Sequence, residues 1–139
     1  MGRIVPQESA FDPDQWGGGD GAAHLAKGVE LFNAGEYEAA HEEFEVLWLS
    51  TQGPDSDFYK GLVQAAIALH HLRRGNLEGA SQLYRGHRRY LAAYLPAHLG
   101  LDLAGFLLEM QTTLGPATRT GSEAEARFDP EHRPRLRPS

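Results

Sequence analysis

Apolar residues along this chain recur at spacings of three and four, and they do not alternate over any length that would suit a strand. Ala23, Leu25, Ala26, Val29, Leu31 and Phe32 predict a helix over about 22–34, stopped by Gly35. A second helix begins at Glu36 or Tyr37 and carries Tyr37, Ala40, Phe44 and Leu47 on one face. The segment "STQGPDSD" breaks it, and Asp55 or Ser56 can cap a third helix, "DFYKGLVQAAIALHHLRRG". That helix is apolar around most of its circumference, which places it at the centre of a bundle. Gly75 ends it, Asn76 caps a fourth helix that runs toward Pro96, and the stretch near 101–114 supplies a fifth.

A shift of forty residues aligns "NAGEYEAAHEEFE" with "RRGNLEGASQLYR". Gly35 then meets Gly75, Glu38 meets Glu78 and Ala40 meets Ala80, while Tyr37/Leu77 and Phe44/Tyr84 agree in character. Two helix hairpins of one design follow, similar to tetratricopeptide hairpins but with a longer period. The expected fold is therefore all-α, a compact bundle of about five helices built on two tetratricopeptide-like hairpins and occupying residues 22–114. Residues 1–21 are rich in Gly, Asp and Pro and read as a flexible arm that Phe11 and Trp16 could tack onto the body. Residues 115–139, with Phe128 and Leu136 as their large apolar residues, read as a disordered tail.

At 139 residues the chain holds one core. Thirteen basic residues against nineteen acidic ones give a net charge of −6, which argues against nucleic acid or an anionic membrane as partner of the whole surface. The arginine run Arg85, Arg88 and Arg89 on the fourth helix is either a solvated face or a contact for an acidic partner. Such a partner could be the Glu36, Glu38, Glu42 and Glu43 cluster of a second copy. The absence of cysteine excludes disulfides and thiolate metal sites. The longest uninterrupted apolar run, "AAIAL", is far too short to span a bilayer, and a soluble cytoplasmic protein is the expectation.

The repeat separates scaffold from chemistry. His41, Glu45 and Trp48 fall opposite Ser81, Arg85 and Arg88, so the shared hairpin design does not require them. "FNAGEYEAAHEEFEVLW" followed by "FYKGLVQAAIALHHLRRGNLEGA" resembles the small helical family called domain of unknown function 309. Phe32, Asn33, Gly35, Tyr37, Ala40, His41, Glu42, Glu45 and Trp48 fit its F-N-x-G-x-Y-x-x-A-H-E-x-x-E-x-x-W pattern. Phe58, Tyr59, Gly61, Leu62, Gln64 and Ala66 fit F-Y-x-G-L-x-Q-x-A; His71, Arg74, Gly75, Asn76, Gly79 and Ala80 fit H-x-x-R-G-N-x-x-G-A. Ala39 departs, since the family commonly has a polar residue there. The resemblance covers roughly residues 25–100 and implies an all-helical bundle; it implies no activity.

Chemistry must therefore come from the residues. His41 and Glu45 lie at i, i+4 with Trp48 at i+7, and Gln64 and His71 are also seven apart. If the second and third helices run antiparallel, His41, Glu45, Gln64 and His71 meet in one polar cluster. Trp48 and Tyr59 would wall it, with Arg74 at its end. The bland reading is a hydrogen-bonded network that fixes helix register. A second is a divalent-metal site with His41, Glu45 and His71 as ligands, serving a metal-dependent hydrolase. "HEEFE" has a glutamate where H-E-x-x-H needs its second histidine, so the metalloprotease pattern is incomplete. The third reading, preferred here, is a protein that works by association with a partner or with itself. Gly61 and Gly79, inside helices, point to close helix–helix approach, and His70 to a different face from His71.

Overall fold

Two glycines set the architecture. Gly35 and Gly75 take φ values of +83° and +80°, a region that a side chain disfavours, and each closes a helix by the same pair of hydrogen bonds. The Gly35 N–H donates to the Phe32 carbonyl at 3.0 Å, and the Glu36 N–H to Leu31 at 2.9 Å. Forty residues on, Gly75 donates to Leu72 at 3.0 Å and Asn76 to His71 at 2.9 Å. The computed structural model, which describes residues 20–119 and 127–139, thus shows two turns that agree bond for bond.

The turns join α1 (Asp20–Asn33) to α2 (Tyr37–Ser50), and α3 (Ser56–Arg73) to α4 (Leu77–Leu91). A short 3-10 turn, Ala92–Tyr94, leads to a two-residue antiparallel ribbon, β1 (Ala97–His98) and β2 (Leu101–Asp102), turned at Leu99 and Gly100 with φ of 49° and 82°. Asp102 then caps α5 (Leu103–Leu114), its carboxylate accepting from the Gly105 N–H at 3.0 Å. The bundle is all-α as expected; the ribbon was not expected and delays the fifth helix by two residues. Among the described residues no helix is long and apolar enough to cross a membrane.

Packing explains the helix glycines. On α1, Gly28 leaves the space that the Phe44 ring fills: a Cβ there would lie 2.4 Å from Phe44 Cε1. Between α3 and α4 three glycines do the same, Gly61 against Leu91, Gly79 against His71 and Asn76, and Gly86 against Gln64. The backbones of α3 and α4 approach closely along that seam, and α3 buries ten of its residues, as its apolar circumference predicts. Phe32 ties α1 to the rest, its ring edge-to-face with Tyr37 at 5.3 Å and with Phe106 of α5 at 5.6 Å. Each such fully buried large side chain contributes on the order of 1.5–3 kcal/mol of transfer free energy.

The arm expected over 1–21 lies outside the described residues, save for Asp20 and Gly21, which belong to α1. The tail differs from expectation. Residues Gly115–Thr118 form a 3-10 turn, and 127–139 lie against the body with Leu136 only 2% exposed. A polar composition argues for disorder only while nothing pays back the ordering entropy, and here Asn33, Glu109 and the ribbon do so. The expectation for 120–126 falls outside the described residues.

Candidate functional site

His41, Glu45 and Trp48 share a face of α2 because of their i, i+4, i+7 spacing, and all three are half-buried. His41 Nε2 lies 3.8 Å from Glu45 Oε2, too far for a direct hydrogen bond. Trp48 closes the row from below. The Lys60 ammonium of α3 sits 5.0 Å from the centroid of its ring and 5.0 Å from that of Tyr90 in α4, so one cation links three helices.

On α3 the expected partners turn the other way. Gln64 points its carbonyl oxygen at Gly86, so that a Cβ there would lie 2.0 Å from Oε1. His71 packs on Gly79, and its Nδ1 accepts from Asn76 Nδ2 at 3.2 Å. Both therefore face α4, and the sealed four-residue cluster expected between α2 and α3 does not assemble. The histidine of α3 under the influence of α2 is His70, one residue round the helix. Burial lowers its pKa, and the Glu38 carboxylate opposes that shift. Tyr59 is a core residue, 5% exposed and edge-on to Phe58 at 5.5 Å. Burial raises its phenol pKa, with Asp55 adding to the effect. Arg74 is exposed at the α3 C-cap, its backbone N–H shared between the His70 and His71 carbonyls at 3.2 and 3.1 Å.

The metal triad fails for the same geometric reason. Among the described residues no three His, Asp or Glu side chains are grouped so that they could hold an ion, and His41, Glu45 and His71 are no exception. Gln64 is left in an unusual state: its Oε1 is buried and has no hydrogen-bond partner. An amide oxygen so placed costs about 1–3 kcal/mol.

Two histidines that the residue spacing does not single out are held more tightly than His41. His98 of β1 donates from Nε2 to Asp55 Oδ1 at 2.8 Å, its ring 4.8 Å from Phe58 and 4.7 Å from Tyr94. A carboxylate thus fixes the tautomer of an imidazole held among aromatic rings, and the pair pins the ribbon to the α2–α3 link. No spacing signal could have found it, because the partners stand in a two-residue strand and a loop 43 positions apart. His87 of α4 is fully buried, donates from Nδ1 to the Tyr84 carbonyl, and has no partner at Nε2. Burial brings its pKa down to about 4, so it is neutral at pH 7. Of the arginine run, Arg85 donates to the Thr118 carbonyl at 3.3 Å, Arg88 to the Tyr84 hydroxyl at 3.1 Å, and Arg89 lies over Tyr90.

No curated protein matches the chain. Residues 25–83, which run from α1 into α4, match the model of the family described as Domain of unknown function (DUF309). That span ends short of residue 100, and it leaves out the ribbon, α5 and the carboxyl end. From within α1 to within α4, then, the chain is similar to a family described as a domain of unknown function.

Proposed function

We propose that the protein is a non-enzymatic association module of the cytoplasm, with two tetratricopeptide-like hairpins that present the face of α3 to a protein segment. The recognition face is the half-buried row Lys60, Gln64, Ile67 and His71, bordered by His41, Glu45 and Trp48 of α2 and by Tyr90 of α4. Helical spacing puts the four α3 residues on one side. The glycines of α4 keep its wall low beside them.

The observation that carries the reading is the half-buried row itself, where the Lys60 ammonium stands between the Trp48 and Tyr90 rings. Gln64 sits at the middle of that row, so a segment laid along it meets the Gln64 side chain. The flanking charge supports a basic segment, since Glu38, Glu42 and Glu45 line the α2 side.

Gln64→Met keeps length and removes the oxygen, so the variant melts at the same or a higher temperature than the parent while its association is lost. The association itself is read by a photo-cross-linking residue at position 67 of the full chain in cells, with position 82 on the exposed flank of α4 as control. An adduct of defined mass at 67, absent at 82 and abolished by Gln64→Met, is the expected result. Equal labelling at both positions, or a Gln64→Met chain that melts lower and associates normally, would overturn the proposal.

A further inference from the structure

The carboxyl end of the chain is held as a peptide ligand would be. Residues 127–139 form no helix, and the contacts that hold them down come from the body. Asn33, the last residue of α1, reads the backbone of Leu136 twice. Its Nδ2 donates to the Leu136 carbonyl at 2.8 Å, and its Oδ1 accepts from the Leu136 N–H at 2.8 Å. Further along, the Asp102 N–H donates to the Arg137 carbonyl and the Ser139 N–H to the Gly100 carbonyl, both at 2.9 Å. With Leu101 opposite Pro138, the segment adds an antiparallel edge to the ribbon. The Leu136 side chain enters the core, and Glu109 of α5 takes the residues on either side of it. Its carboxylate accepts from the Arg135 N–H at 2.9 Å and from the Arg137 guanidinium.

Main-chain pairing, a buried anchor and a carboxylate that takes one main-chain N–H and one guanidinium are how extended segments are recognised at a sheet edge. Each of these contacts is made to residues 135–139 themselves. We propose that Asn33, Glu109 and the Gly100–Asp102 edge form a binding groove for an extended Arg-Leu-Arg segment, which the carboxyl end of a second copy enters in trans. Every copy carries the segment that fits, and reciprocal exchange keeps each contact while joining two chains. Within one chain the groove is filled in cis, so exchange requires that the chain's own end be disabled.

Complementation between full-length variants tests this directly. Leu136→Asp spoils the anchor and leaves the groove; Asn33→Asp, which cannot donate to the Leu136 carbonyl, spoils the groove and leaves the segment. Each variant alone runs at the mass of one chain, and an equimolar mixture gives a one-to-one complex of two chains by sedimentation and light scattering. Glu109→Lys serves as a second groove variant should Asn33→Asp melt early. A labelled synthetic peptide of residues 127–139 binds the Leu136→Asp chain about tenfold or more tighter than the unaltered chain, because the native end competes. The proposal is overturned if neither mixture yields a two-chain species while the variants keep their helical circular dichroism, or if the peptide binds both chains equally.

Discussion

The turn at Gly35 and the turn at Gly75 have the same hydrogen bonds, yet different things rest on them. A Cβ at Gly75 would meet nothing within 4 Å, whereas one at Gly35 would lie 3.6 Å from Arg133 Nε and 3.9 Å from Arg73 Nη1. Asn33 holds the carboxyl end, while its counterpart Arg73 leaves its own hairpin and donates to the Gly35 carbonyl at 2.7 Å, over the rings of Tyr37 and Phe128. Glu36 makes no side-chain cap; Asn76 caps α4 through the Gly79 N–H at 3.0 Å. Leu47 is buried in the first hairpin where His87 is buried in the second. The two turns have in common a positive-φ glycine, a buried alanine at Ala40 and Ala80, and a buried ring at Phe44 and Tyr84, while the groups resting on them differ.

The largest break in the comparison comes at its ring positions. Phe44→Ala empties a fully buried site against Gly28 and is expected to cost about 3–5 kcal/mol by denaturant unfolding. Tyr84→Ala, whose hydroxyl reaches Arg88, costs less. Next comes acid. His87 takes up its proton near pH 6.5 when unfolded and only near pH 4 when folded, so the unfolded chain binds more protons in that interval. Stability is therefore unaffected by this group above pH 6.5 and is lost as pH falls from 6.5 to 4, by about 3 kcal/mol in all. His87→Leu, which copies Leu47, removes that part of the acid slope; an unchanged slope would place the titration elsewhere. The smallest effect sharpens the turns themselves. Asn76→Ala loses a cap worth about 1 kcal/mol, and Glu36→Ala at the matching position stays within about 0.5 kcal/mol of the parent.

Local pattern sufficed for the helices and their turns. Apolar spacing marks Tyr37, Ala40, Phe44 and Leu47 as one buried face, and Gly35, Gly75 and Asn76 stand where the chain reverses. The same pattern could not say which neighbour each face of α3 would meet. Gln64 and His71 share a side, as their spacing requires, but that side turns to α4 because Gly79 and Gly86 open room there. Spacing fixes rotation within a helix and leaves the partner to three-dimensional packing. The His98–Asp55 pair and the docking of Leu136 on Asn33, 103 positions away, have no local signature at all. Composition misled for the tail because it counts the segment's own apolar residues and not the partners waiting for its backbone.

The amides of Arg135, Leu136 and Ser139 are engaged by Glu109, Asn33 and Gly100, although the residues around them belong to no helix. Deuterium uptake at the carboxyl end should therefore be slow at those positions, a sparse protection pattern inside a stretch that looks unprotected by composition. Loss of the Asn33 amide would release those labels together, while the helical turn at Gly75, which supports no such segment, would keep its own exchange rate.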